Sequence, residues 1–363
     1  MNAIVQLHDL GQRLWLDNIT RELLTSGTLE RYISELGVTG LTSNPTIFDK
    51  AIQHGDAYDG AIRDQARAGK SGEALFFELA LADLTRAADL LRPLHDATGG
   101  VDGWVSLEVS PLLADDTTGT IEAALQLHAQ AQRPNLFIKI PGTRAGISAV
   151  EETIFAGVPV NVTLLFSREH YLAAAEAYMR GIERRLAAGL DPAVGCVASL
   201  FVSRWDVAVR NEVPGALRNR LGIAIAHRTY RAYRELLAST RWQTLADAGA
   251  RPQRLLWAST GTKDPEAPDT LYLEALAAPD TINTVPEKTL LAFAEHGKVG
   301  GALPADGGDA EALLAEFTQA GVDVDALAER LQHEGVHAFA NSWHDLIDRI
   351  AAKAETLTDG GQT

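Results

Sequence analysis

The sequence predicts an α/β fold, a (β/α)8 TIM barrel with additional N- and C-terminal helices. Three observations carry this reading. Eight short apolar or β-branched segments recur along the chain, each of strand length. Helical patterns separate them, the order expected of a parallel sheet with crossover helices. The length, 363 residues, suits one closed barrel with extra helices. Residues 1–363 are therefore read as a single domain, with the helices of about 287–355 packed on the barrel.

Each element has its own signal. Residues 2–10 are a candidate helix, and 13–18 a strand that ends in an acid, Asp17. Residues 19–36 show helical spacing, interrupted near Ser26-Gly27 and stopped at Gly37. The second strand, 38–44, is cut off by Pro45. Helical stretches cover 45–68, with a break near Gly55, and 72–91. The third strand is 101–109, followed by a helix at 117–132. The fourth, 135–140, is closed by Pro141-Gly142 and followed by a helix at 144–156. The fifth is 158–164, and Ser167 caps a long helix to 188. The sixth, 194–200, leads into a polar stretch around Arg204 and then a helix at 223–237. The seventh is 254–259, and the eighth, 281–285, is closed by Pro286. Two separate helices are expected at 324–333 and 337–354, the second with a core stripe of Phe339, Trp343, Leu346 and Ile350. Residues 302–308 read as a loop and 359–363 as a frayed tail.

Composition narrows the function. A net charge of -16 argues against a nucleic-acid partner, whose binding face would be basic. An anionic substrate would need a local basic cluster working against that field. The single cysteine, Cys196, makes no internal disulfide and fits a reducing cytoplasm as a buried, inert thiol. The N-terminus lacks a basic region followed by a long apolar run, so no signal peptide is expected. No apolar run is long enough to span a membrane, and no membrane partner is expected.

The chemistry gathers at the strand ends. Reactive groups of a parallel barrel collect at the C-terminal ends of its strands. Here those ends hold Asp17, Thr42, Asn44, Glu108, Lys139, Asn161, Thr163, Ser199, Arg204, Ser259 and Lys263. Lys139 sits in N-L-F-I-K-I-P-G-T, a buried strand where an ammonium is costly. Partial desolvation would free its amine to attack a carbonyl and form a Schiff base. Asp17 and Glu108 can move protons, Asn44 and Asn161 can bond sugar hydroxyls, and Ser199, Arg204, Ser259 and Lys263 can hold a phosphate. Each residue also has a plain structural reading. Lys139 can reach solvent or pair with a carboxylate, Asp17 can cap the next helix, Asn44 can be a turn residue, and Arg204 a surface cation. Glu108 in V-S-L-E-V must be paired in any case. Joint occurrence at successive strand ends is what carries weight.

One metal-type pattern occurs, His333-Glu334-Gly335-Val336-His337, matching H-E-x-x-H. It needs an unbroken helix. Gly335 is expected to break that helix, far from the strand ends, so the match reads as chance and no metal is expected. No C-x-x-C pair and no phosphate-binding glycine loop after a strand is present, so no cofactor is implied.

Taken together, the sequence resembles transaldolases, most closely the longer bacterial ones. The resemblance rests on L-W-L-D-N-I at Asp17, G-L-T-S-N-P-T-I-F at Asn44, V-S-L-E-V at Glu108 and F-I-K-I-P-G-T at Lys139. It continues through N-V-T-L-L-F-S at Asn161, S-L-F-V-S-R-W-D at Ser199 and Arg204, L-L-W-A-S-T-G-T-K at Ser259, and N-T-V-P at 283–286. It implies a cofactor-free Schiff-base enzyme of the pentose phosphate pathway. Such an enzyme moves a dihydroxyacetone unit from sedoheptulose 7-phosphate to glyceraldehyde 3-phosphate, giving erythrose 4-phosphate and fructose 6-phosphate. It also implies roles: Lys139 as the imine-forming amine, Asp17 as general acid/base for the C3–C4 bond, and Glu108 with a water near Thr163 in dehydration and hydrolysis. Thr42, Asn44, Asn161, Ser199, Phe201, Arg204 and Ser259 would bind substrate. The family's second phosphate arginine falls at Gly261 here, and Lys263 is the proposed substitute. A C-terminal helix, carrying the Phe339 to Ile350 stripe, would lie over the barrel mouth. A monomer or homodimer is expected, with no fused isomerase domain. Three other readings stay open on sequence alone: an aldolase that releases free dihydroxyacetone, a non-catalytic binding barrel, and a metal enzyme built on His333 and His337.

Overall fold

The strands close on themselves in chain order. The computed structural model describes residues 2–359. It contains β1 (Arg13–Asp17), β2 (Val38–Thr42), β3 (Trp104–Glu108), β4 (Leu136–Pro141), β5 (Val160–Leu165), β6 (Cys196–Phe201), β7 (Gln253–Ala258) and β8 (Thr281–Val285). Every neighbour pair is parallel and β8 returns to β1, so the sheet is a closed barrel with no free edge. This is the predicted (β/α)8 barrel with extra helices. The strands are short and almost wholly buried because helices cover the outside and side chains fill the inside. Among the described residues, no helix is long and apolar enough to cross a membrane.

The interior is layered. Near the strand starts Trp104 and Phe137 stack at 4.1 Å, with Trp15 6.1 Å from Phe137, and these rings plug the barrel. Above them the register sets polar residues side by side: Asp17 opposite Thr42, Glu108 opposite Lys139, and Lys139 opposite Asn161. The strand ends thus bring their polar groups to the same end of the barrel by pairing geometry.

Several boundaries differ from expectation. The polar stretch after β6 is a helix, Ser203–Val209. It forms because Trp205 is buried, its Nε1 donating to the Phe166 carbonyl at 3.1 Å. Asp206 anchors the following segment by accepting from Leu221 N and the Tyr272 hydroxyl, each at 2.8 Å. Short helices Thr240–Asp247 and Leu271–Ala275 were not foreseen, and the helix begun at Gly72 runs on to Ala97. The frayed-tail expectation falls largely outside the described residues, since 360–363 are not among them and Asp359 closes a helix. Met1, part of the N-terminal stretch read for a leader, is also outside them.

The largest correction concerns Gly335. One continuous 36-residue helix, Val324–Asp359, replaces the two expected. Gly335 does not break it. A Cβ there would stand 3.0 Å from Leu164 and 3.1 Å from an Arg204 guanidinium nitrogen, so the glycine lets the helix lie close on the barrel mouth. The helix is held further along, where Trp343 is buried against Phe76 at 4.8 Å and donates to Glu73 at 2.7 Å. Gln332 donates to the carbonyls of Gly142 and Leu164, each at 3.0 Å, tying the helix to the ends of β4 and β5. Gly335→Leu should therefore destabilise the protein by about 1–3 kcal/mol through overpacking, despite leucine's better helix propensity. Thermal unfolding checks this. An unchanged or raised midpoint would mean that the helix does not bear on the barrel at this point.

Candidate active site

Lys139 lies inside the C-terminal mouth of the barrel and is only 5% exposed. Its strand forms because Leu136, Phe137, Ile138 and Ile140 are all buried, and the pleat turns Lys139 toward the interior. The ammonium donates to the Ser43 carbonyl at 3.1 Å and to Glu108 Oε2 at 3.3 Å, and it stands 5.8 Å from the Phe339 ring. Glu108 is buried as well. Burial pushes its carboxyl above the usual carboxylate range, and the Lys139 charge pulls part of the way back.

Asp17 closes β1 and lines the same cavity. It does not cap the next helix; Thr20 does. Thr42 donates to Asp17 Oδ1 at 2.8 Å, and Thr284 lies 2.7 Å from Thr42. With the Thr42 proton committed to Asp17, the Thr284 hydroxyl donates to Thr42, and this relay fixes the carboxyl's orientation. Burial raises the Asp17 pKa, again opposed by Lys139. Two carboxyls near one lysine thus both have their pKa raised by burial, each against the pull of the lysine charge.

The cavity has a volume of about 350 Å³. Of the predicted residues, Asp17, Thr42, Asn44, Lys139, Thr163, Ser199, Phe201, Arg204, Ser259 and Lys263 line it. Glu108 and Asn161 do not. Glu108 sits behind Lys139, beside a small void shared with Pro141, Leu164 and Phe339. Asn161 lies beneath the floor, accepting from Ser199 at 2.7 Å and donating to Ser106 at 3.1 Å. Asn44 caps the helix Pro45–His54 through a 3.1 Å bond from Ile47 N and also lines the cavity. The Thr163 hydroxyl is buried without a hydrogen-bond partner, an orphan at the lysine's side of the cavity.

Charge in the cavity opposes the charge of the chain. Lys50, Lys139, Arg204 and Lys263 line it against one carboxylate, Asp17, among the described residues. Arg204 stands 5.2 Å from the Phe201 ring and 5.7 Å from the Phe339 ring, so two aromatics hold its guanidinium. Gly261 also lines the cavity, and a Cβ there would press on Pro286 at 3.0 Å, leaving an exposed Lys263 as the cation on this loop. Leu164 and Ser259 hold left-handed backbone, with φ of 58° and 55°, at the ends of β5 and β7. Strain of this kind collects where side chains must be aimed.

Sequence reasoning missed Thr46, Lys50 and Thr284 as lining residues. Thr284 was legible as the end of the eighth strand. Lys50 lies within a helix, where nothing in the spacing marks it. The H-E-x-x-H pattern, expected far from the strand ends, lies on the helix that crosses the mouth.

A buried amine beside two carboxyls of raised pKa, at the mouth of a closed barrel and beside a cationic pocket, defines an enzyme of carbonyl chemistry on anionic substrates. Residues 14–350 match the family described as transaldolase/fructose-6-phosphate aldolase. A protein named transaldolase from Thermobifida fusca (strain YX) is 48% identical over 366 residues, covering 98% of this chain and 100% of that one. One of the same name from Parafrankia sp. (strain EAN1pec) is 47% identical, covering 94% and 95%. Another, "Transaldolase 2" of Nostoc sp. (strain PCC 7120), is 37% identical, covering 99% of each. The chain belongs to the transaldolase/fructose-6-phosphate aldolase family.

The raised Asp17 pKa has a consequence for stability. A carboxyl whose folded pKa lies above its unfolded value stabilises the fold below the unfolded pKa, and that contribution is lost as pH rises through the folded pKa. Asp17→Asn should therefore stabilise the protein at neutral pH, by about 1 kcal/mol, and the gain should vanish below the ordinary carboxylate range. Denaturant unfolding at both pH values checks this. Destabilisation at neutral pH would mean that the Asp17 charge is a net support of the fold.

Proposed function

We propose that the chain is a transaldolase, moving a three-carbon dihydroxyacetone unit between sugar phosphates through an imine on Lys139. The observation that carries this is the Lys139–Glu108 contact of 3.3 Å in a buried setting that raises the Glu108 pKa. An amine attacks a carbonyl only when neutral. Glu108, biased toward the acid form, can take the Lys139 proton and free the lone pair.

The steps follow from the positions. Neutral Lys139 adds to C2 of a ketose phosphate, giving a carbinolamine. Glu108 returns its proton to the departing hydroxyl, which leaves as water, and an iminium remains. The Thr163 hydroxyl, buried without a partner at this side of the cavity, would hold that water. Asp17 takes the proton of the C4 hydroxyl, the C3–C4 bond breaks, and its electrons flow into the iminium to give an enamine and a free aldose. An incoming aldose is attacked by the enamine carbon while protonated Asp17 returns its proton to the new alkoxide. Hydrolysis reverses the first two steps. Thr42 and Thr284 keep Asp17 oriented, Ser199 and Asn44 bond sugar hydroxyls, and Phe201 and Phe339 support Arg204. Asn161 holds Ser199 through a 2.7 Å bond and so helps to position it.

Sedoheptulose 7-phosphate and fructose 6-phosphate are the proposed donors, with glyceraldehyde 3-phosphate and erythrose 4-phosphate as acceptors. Their phosphates lie against Arg204, Ser259 and Lys263. A Lys263→Ala variant should raise KM for a phosphorylated donor about tenfold or more, the worth of one charge-assisted hydrogen bond, with kcat little changed. An unchanged KM would remove Lys263 from the phosphate site.

The reaction itself is tested with sedoheptulose 7-phosphate and glyceraldehyde 3-phosphate, measuring fructose 6-phosphate. Wild type should form it and Lys139→Ala should not. Release of free dihydroxyacetone from fructose 6-phosphate without acceptor, at a rate matching transfer, would favour the aldolase reading. Absence of both products would overturn the proposal.

A further inference from the structure

The chemistry above leaves His333 and His337 unused. We infer that these two residues form a site for one divalent first-row transition metal, with Ni(II) or Cu(II) as the matching ions and water in the remaining positions. The helix Val324–Asp359 is continuous, so the two residues stand one turn apart on one face, and both are exposed. Their Nε2 atoms are 3.0 Å apart, with ring centroids at 4.3 Å and planes at 71°.

That distance is compatible with two ligands of one ion. Two nitrogens each about 2.0–2.1 Å from one ion lie about 3.0 Å apart at a right angle and about 3.4 Å apart at the tetrahedral angle. The separation is thus near that of adjacent positions of a square-planar or octahedral centre, which the two exposed rings reach by rotating until both lone pairs aim at one point. Nitrogen and oxygen ligands in that geometry suit Cu(II) and Ni(II), whereas zinc prefers a tetrahedron. Without metal, the same spacing serves an imidazole–imidazole hydrogen bond, one Nε2–H donating to the other. Binding needs a lone pair on both Nε2 atoms, so the donating ring moves its proton to Nδ1; no net proton is released.

Neighbouring acids are engaged elsewhere. Glu329, one turn before His333, holds His170 at 3.0 Å, and Glu334 leans toward Arg330 at 3.9 Å. Among the described residues, no group of three or more metal-ligating side chains gathers. The site is therefore a two-ligand clamp, distinct from the three-ligand zinc centre that H-E-x-x-H suggests elsewhere. It spans Gly335, which packs on Arg204, and precedes Phe339, which faces Lys139. A bound ion would brace the turn of helix that roofs the cavity.

The test is calorimetric titration of Ni(II), and separately Zn(II), into the tag-free full chain. His333→Ala and His337→Ala are the variants, and His344→Ala, an exposed histidine of the same helix, is the control. We expect one Ni(II) per chain, bound more tightly than Zn(II). Either variant should weaken it at least about tenfold, while His344→Ala leaves it unchanged. Saturating Ni(II) should raise the unfolding midpoint of wild type and control but not of the two variants. Absence of Ni(II) binding, or binding that survives both substitutions, would overturn the site. Zn(II) bound more tightly than Ni(II) would overturn the right-angle geometry.

Discussion

The Lys139–Glu108 pair is the contact on which the rest of the site depends, because the barrel must bury an ammonium and a carboxyl without losing stability or locking their proton. At 3.3 Å the attraction is worth about 5 kcal/mol at an effective dielectric of 20. Removing the two ions from water costs several kcal/mol each. The attraction offsets part of that cost, so the buried pair depends on the close contact, and burial raises the Glu108 pKa against the pull of Lys139. A pair fully exposed to water would stay ionised, and its amine would be inert. The apolar plug of Trp15, Trp104 and Phe137 below and the helix carrying Phe339 above keep that balance by excluding water.

The surrounding structure serves to hold this balance in place. Parallel pairing sets Glu108 opposite Lys139 and Asp17 opposite Thr42, so backbone register alone assembles the proton-moving groups. The Ser43 carbonyl accepts a hydrogen bond from Lys139 and the threonine relay orients Asp17. Left-handed backbone at Leu164 and Ser259 turns the ends of β5 and β7 toward the mouth. The Val324–Asp359 helix can close that mouth only because Gly335 has no side chain where Leu164 and Arg204 approach.

Much of this was legible in the sequence because strands announce themselves. Apolar runs ended by Pro45, Pro141 and Pro286 marked where chain direction changes, and counting eight of them led to the barrel. Most strand-end residues of those runs line the cavity at one mouth, while Glu108 and Asn161 stand beside it. What stayed hidden depended on long-range packing. Gly335 reads locally as a helix breaker, since glycine is a poor helix former, yet the barrel surface rewards its missing side chain. Arg204 reads as polar surface until Trp205 and Asp206 are seen to bury the helix that carries it. The bonds of Asn161 to Ser199 and Ser106 join side chains of three different strands, which no local pattern encodes.

The central claim is that Lys139 becomes covalently attached to substrate. The direct measurement is reductive trapping: incubate the protein with fructose 6-phosphate, add borohydride, digest, and locate the modified peptide by mass spectrometry. The account predicts a reduced three-carbon adduct on Lys139. No adduct on folded protein that turns over sugar phosphates, or an adduct on Lys263 instead, would contradict it.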